Sequence, residues 1–158
     1  MAAIRIDGEG RFSGYASVFG RVDAGGDIVM PGAFANSLAQ RRDRIRMLFQ
    51  HDPKEPVGIW EALHEDGHGL FAAGRLVPGV ERADALKRLI EGGALDGLSI
   101  GFRTVKATRE AGKRKLWAID LFEISIVTFP MMEDARIAPS SLSTGAAIAA
   151  ATQTIRNR

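Results

Sequence analysis

The hexapeptide Gly97-Leu98-Ser99-Ile100-Gly101-Phe102 puts a hydroxyl between two glycines, at the head of a strand-like run that continues through Arg103-Thr104-Val105. Glycines on both sides let backbone approach closely and take turns closed to other residues. That suits a peptide lying against an attacking oxygen. Taken alone, the hexapeptide also reads as a strand entry with an incidental serine, because short motifs match by chance often. A serine nucleophile needs a base and an orienting group, so its partners decide. The segment formally matches the G-x-S-x-G nucleophile elbow, but that elbow requires strand–turn–helix and a histidine downstream. Here the residues after Ser99 read as strand and His68 is the last histidine, so chain order excludes an α/β-hydrolase.

Any histidine base must therefore precede Ser99. His51 ends the run Arg44-Ile45-Arg46-Met47-Leu48-Phe49-Gln50, and Asp52-Pro53 breaks it immediately afterwards. The end of a strand fixes a ring and faces it to a cleft, although an ordinary loop histidine fits the same pattern. His64 and His68 are spaced like the histidines of a zincin helix, with Glu65 beside the first, but Gly67 and Gly69 argue for a turn. The third group should be a carboxylate that holds the imidazole, and Asp52, Asp96, Asp120, Glu123, Glu133 and Asp134 are candidates. Glu123 stands out, because a charge inside an apolar strand is costly unless it is paired. Its same-face neighbours read as Leu121, Ser125 and Val127, and the alternative for it is a solvent-facing strand position. Ser125 is the rival nucleophile, mid-strand and without flanking glycines. Asp23-Ala24-Gly25-Gly26-Asp27 lacks the ligand ladder of a calcium loop, so no metal site is assigned.

The elements that must position these residues are mostly strands. Residues 4–20 read as two short strands around Gly8-Glu9-Gly10. Pro31-Gly32 leads into a helix through about Arg41, with Ala33, Phe34, Ser37 and Leu38 on its buried face. Val57 to Leu63 and Leu70 to Leu76 form a hairpin through Asp66-Gly67. Glu81 to Glu91 is the clearest helix, with Leu86, Leu89 and Ile90 on one face and Gly92-Gly93 closing it. Glu110 to Arg114 reads as a hairpin loop, and strand character resumes from Leu116 to Phe129 before Pro130. The run Arg41-Arg42-Asp43-Arg44 reads as a solvated face. This is a β-rich α+β domain of six or more strands and two helices over residues 1–137, followed by an Ala-rich tail, 138–158.

Composition narrows the chemistry. The chain has 158 residues, 46% of them hydrophobic, which suits one domain with a real core. With 21 basic against 19 acidic residues the charge is nearly balanced and gives no case for nucleic acid. Its aromatics are not interleaved with a basic stripe either. The absence of cysteine excludes a thiol nucleophile, a disulfide framework and a thiolate zinc site. No apolar run is long enough to cross a bilayer and the first residues lack a secretory h-region, so a soluble, intracellular protein with no membrane partner is expected.

Five segments in order then resemble one family. They are Gly14-Tyr15-Ala16-Ser17-Val18-Phe19; Asp27-Ile28-Val29-Met30-Pro31-Gly32-Ala33-Phe34; Leu48-Phe49-Gln50-His51-Asp52 with Pro56-Val57-Gly58; Leu98-Ser99-Ile100-Gly101-Phe102; and Glu123-Ile124-Ser125-Ile126-Val127-Thr128-Phe129-Pro130. Together they resemble the prohead proteases of HK97-type tailed phages and their relatives in gene-transfer particles, a family distantly similar to the herpesvirus assemblins. The resemblance implies a closed or partly open β-barrel flanked by helices, with His51 as general base, Ser99 as nucleophile and Glu123 as orienting residue. The assemblins carry a second histidine in that third place, so a carboxylate is a departure from them. Oxyanion donors are implied on the loop after the third residue's strand, at Met131 and Met132. No cofactor is implied. The implied substrates are the scaffold or the scaffold-like extension of the major capsid protein, and the chain itself, inside an immature capsid assembled in the bacterial cytoplasm. A homo-oligomer is compatible with this, and an inactive internal scaffold or shell component is the alternative role.

Overall fold

The computed structural model describes residues 3–140, so the expected tail at 138–158 lies almost wholly outside the described residues. Seven strands, two α-helices and a 3-10 turn follow in the order β1 (Arg11–Val18), β2 (Asp27–Val29), α1 (Ala35–Arg41), the turn Arg42–Arg44, β3 (Arg46–Phe49), β4 (Asp52–Glu65), β5 (Gly69–Leu76), α2 (Glu81–Glu91), β6 (Gly97–Glu110) and β7 (Lys113–Val127). They build one sheet in the order β1-β5-β4-β3-β7. β2 lies parallel to the start of β7 and β3 parallel to its end, while β6 runs antiparallel along its whole other edge.

The sheet curls because its two ends are bridged. After β7 the chain returns so that Leu98 N donates to Ala135 O at 2.9 Å, Ile137 N to Asp96 O at 2.7 Å and Ala138 N to Ser13 O at 2.8 Å. That strap joins the start of β6 to β1. It lies so close to β1 that a Cβ on Gly14 would run into the Arg136 carbonyl. The expected β-rich barrel with helices on its flanks is what forms.

Alternation explains the core. On β5, Leu70, Ala72 and Leu76 point inward, and α2 buries Ala83, Leu86 and Ile90 at helical spacing. Leu89, expected on that face, is 43% exposed instead. The residues expected on the buried face of α1 are all buried, and Ser37 does more than pack. Its hydroxyl donates to Ile119 O and accepts from Leu121 N, both at 2.9 Å, which pins α1 to the middle of β7.

Four local expectations need correction. Residues 4–10 form no strand; their amides are tied by turns such as Gly10 N to Asp7 O at 3.1 Å. The run before His51 does stop, at Phe49, but Asp52-Pro53 opens β4 instead of a loop, because this part of β4 pairs only irregularly with β3 and Pro53 has no ladder bond to lose. His64 lies on β4, not in the turn. The loop between β6 and β7 shrinks to Ala111-Gly112, both with positive φ as a tight hairpin requires.

Candidate active site

β7 carries the site, and a bulge in it decides which side chains reach the site face. Gly101 pairs with Glu123 but Phe102 pairs with Leu121, so Phe122 is an extra residue on β7. A bulge re-aims the side chains on either side of it. Below it Ile119 and Leu121 enter the core, and above it Ile124 and Ile126 do. Glu123 and Ser125 are thereby turned to the opposite face, where their register partners on β6 are Gly101 and Ser99. Leu121, expected to share a face with Glu123, is on the other side. Directly opposed residues on an antiparallel pair hold their Cβ atoms about 4.5–5.5 Å apart, so Ser99 stands one strand spacing from Ser125.

Gly101 leaves the space that Glu123 fills. A Cβ built there would overlap the Glu123 carboxylate. The second glycine of the hexapeptide therefore makes room for an acid rather than for a passing backbone.

His51 reaches β7 by an unusual route. Phe49 pairs with Asp52, leaving Gln50 and His51 as a two-residue hairpin loop with φ of 53° and 58°. Positive φ at both positions is the type I′ pattern, which favours Asn-Gly, and for side-chain-bearing residues it costs of order 1–3 kcal/mol each. Bonds to β7 and to Thr128 just beyond it offset that strain. Gln50 N donates to Ile126 O at 3.0 Å, its side-chain amide donates to Thr128 Oγ1 at 2.8 Å, and its Oε1 accepts Thr128 N at 3.2 Å. His51 N donates to Ser125 Oγ at 3.0 Å. His51, expected at the end of a strand, thus sits in the turn after it and is held there by these bonds.

The ring is then fixed by the acid. His51 Nδ1 is hydrogen-bonded to Glu123 Oε1, and Glu123 Oε2 accepts from Ser125 Oγ at 2.5 Å. Both carboxylate oxygens are occupied, as a side chain only 11% exposed requires. The hydrogen bond and charge of Glu123 raise the His51 pKa above 6.5, and partial burial opposes them. Nε2 is the nitrogen that can take up and return a proton. Ser125 is tied into this network: its hydroxyl accepts the turn's N–H and gives its own proton to the acid. Ser125, the rival nucleophile of the sequence analysis, thus has a bond to the acid that its i, i+2 spacing from Glu123 could have signalled.

The remaining candidates lie elsewhere. Asp52 accepts Lys54 N at 2.9 Å, Asp96 pairs with Arg136 and Asp120 with Arg103, each at 2.9 Å, and Asp134 pairs with Arg21. Glu133 gives its carbonyl to Arg136 at 2.8 Å. Met132 is buried in the core, while Met131 is 49% exposed and its carbonyl accepts Ala24 N at 2.8 Å. Pro130, just before them, packs where a Cβ of Gly97 would be, two residues from Ser99. His64, Glu65 and His68 do meet the H-E-x-x-H spacing in full, but strand and turn send them apart. His64 packs on Phe71, Glu65 accepts Phe34 N at 3.0 Å and His68 meets the Tyr15 ring. Asp23 and Asp27 are likewise engaged, the first by the amides of Gly25 and Asp27 and the second by Arg114.

Comparison with known proteins gives a consistent set of likenesses. Residues 2–149 match a family model described as caudovirus prohead serine protease. The chain is 42% identical over 142 residues to the prohead protease of Enterobacteria phage HK97, covering 85% of this chain and 63% of that protein's length. Among solved structures, the bacteriophage T4 capsid assembly protease superposes with a TM-score of 0.62 at 14% identity, over 80% of this chain and 88% of that one. The KSHV protease bound to a hexapeptide phosphonate inhibitor gives 0.58 at 13% identity, over 94% and 76%. At such identities the two structures speak for the fold.

Proposed function

The chain belongs to the caudovirus prohead serine protease family, and from that membership we propose that it is a serine endopeptidase acting through Ser99, His51 and Glu123. The observation that carries the proposal is the His51–Glu123–Ser125 network, whose second and third members sit in register with Gly101 and Ser99. Ser99 Oγ attacks the scissile carbonyl as His51 Nε2 takes its proton. The tetrahedral intermediate collapses when His51 returns that proton to the leaving amine, leaving an acyl-enzyme. Water, activated by the same nitrogen, releases it. Glu123 holds the Nδ1–H tautomer and stabilises the imidazolium. Amides of the loop at Met131 and Met132 are the proposed oxyanion donors, each worth about 3 kcal/mol to the transition state. A buried carboxylate here does the work that a second histidine does in the assemblins.

The substrates we propose are the scaffold or scaffold-like extension of the major capsid protein, and the chain itself, cut inside the procapsid. Residues 138–158 are proposed as a separable tail that targets the protein or is removed by autocleavage. Co-expression with a major capsid protein that carries a scaffold-like extension, followed by mass spectrometry of the products, tests all of this. Discrete fragments that vanish with Ser99→Ala, together with a fluorophosphonate adduct mapped to Ser99, are expected. Fragments that persist in Ser99→Ala would remove Ser99 from the role, and a protein that neither cuts nor labels would fit an inactive internal component.

A further inference from the structure

The bulge that aims Glu123 at His51 also turns out Phe122, which is 40% exposed. Two guanidinium groups lie over its ring: Arg41 at the end of α1, 4.7 Å from the ring centroid, and Arg103 on β6, 5.6 Å from it. A third cation, exposed Arg46, is the register partner of Glu123 on β3 and so shares its face. The acids nearby are Asp120, which holds Arg103 at 2.9 Å, and Glu123, which is engaged by His51 and Ser125. The patch is therefore net positive. Stacking on an aromatic ring holds a guanidinium in place while leaving its N–H edge directed outward, an arrangement matched to a carboxylate.

We propose that Arg41, Phe122 and Arg103, with Arg46, form a subsite that receives an acidic side chain of the polypeptide being cut. This rests on Ser99 as the nucleophile. Ser99 and Arg103 are on the same strand and the same face, and four residues of strand span about 13 Å. An extended substrate covers the same distance in about four residues. The acidic position thus lies about four residues from the scissile bond, and the serine and the subsite read one strand of substrate together.

The test separates binding from cleavage by using the full-length Ser99→Ala protein. Fluorescence anisotropy compares matched labelled peptides that differ only in carrying a central Glu-Glu or Gln-Gln pair. The Glu peptide is expected to bind about fivefold to twentyfold more tightly at low salt, with the gap closing as salt rises. The gap is expected to vanish in Arg41→Gln/Arg103→Gln, whose fold is checked by circular dichroism. Equal affinities, or a preference that survives the double substitution, would overturn the subsite. So would an oligonucleotide that displaces the peptide at equal charge concentration, which would mark an unselective polyanion patch. Cleavage that persists in Ser99→Ala would instead defeat the nucleophile while leaving the binding result readable.

Discussion

Gly101→Ala should cripple the proposed peptidase activity without replacing any side chain that bonds or reacts. The added methyl would overlap Glu123 Oε1, the oxygen that holds His51 Nδ1, and Glu123, walled in on a buried strand, must swing off the ring. A Ser-His-Asp enzyme loses about 10⁴-fold in kcat when its orienting carboxylate is replaced by an amide. A displaced but still charged acid should cost about 10²- to 10⁴-fold, or roughly 3–5 kcal/mol of transition-state stabilisation. Stability should change less. Alanine in a strand gains about 0.5–1 kcal/mol over glycine, against about 1–3 kcal/mol for the strained carboxylate bonds. The assay measures kcat/KM on a mapped capsid cleavage site beside a thermal melt, and follows the His51 imidazole by NMR titration. Its pKa should fall back toward 6.5. Glu123→Asp in the same chain retracts the acid by one methylene, so the double variant should exceed Gly101→Ala in activity, a non-additivity expected only of groups in contact. Wild-type activity in Gly101→Ala, with the His51 titration unmoved, would refute the reasoning.

Other outcomes follow from the same network. Ser125→Ala orphans the turn N–H and one carboxylate oxygen, so it should lower kcat/KM about tenfold to a hundredfold and destabilise the fold by about 1–3 kcal/mol; complete loss of activity with fluorophosphonate labelling of Ser125 in the parent would make Ser125 the nucleophile. Because the base acts when neutral and Glu123 raises the His51 pKa, the acidic limb of kcat/KM should have its midpoint above 6.5, and Glu123→Gln should move it down; an unmoved limb would detach that titration from His51. The same shift stabilises the fold fully below pH 6.5 and ceases to do so as pH rises through the folded-state value, so the stability gap between the parent and His51→Gln should narrow toward alkaline pH in denaturant titrations. Gly14→Ala pushes on the Arg136 carbonyl in the strap that bridges the sheet and should lower Tm by about 3–10 °C; an unchanged Tm would mean that the strap yields freely.

What the sequence makes legible here is set by the range of the interaction that decides each feature. α2 was legible at both ends, because its glycines and its apolar spacing are local. So was the buried face of α1. The candidate site was legible as far as the pairing of His51 with Glu123, since a carboxylate in an apolar strand carries a local energetic signal. Its geometry was not, because two irregularities set it. One is the type I′ turn: Gln50-His51 has none of the glycine or asparagine that announces such a turn, and it holds only through bonds to Ile126, Ser125 and Thr128, more than seventy residues away. The other is the bulge at Phe122. Period-two counting along β7 put Leu121 beside Glu123, and one unpaired residue inverts that parity.

These two irregularities are coupled through β7. Without the bulge, the alternation that buries Leu121 would carry Glu123 into the core and expose Ile124 and Ile126. The hydrophobic register alone would then exclude the acid from the site face. Without the turn, the imidazole would follow β3 past the end of the pairing and no ring would meet the acid. Each device carries a local cost in an unpaired residue or positive φ, and each is offset by contacts along a single 15-residue strand. The β6–β7 hairpin alone can bring Ser99, Glu123 and Ser125 together, but the imidazole arrives only when β3 docks on β7, so an isolated hairpin should hold the acid without its ring.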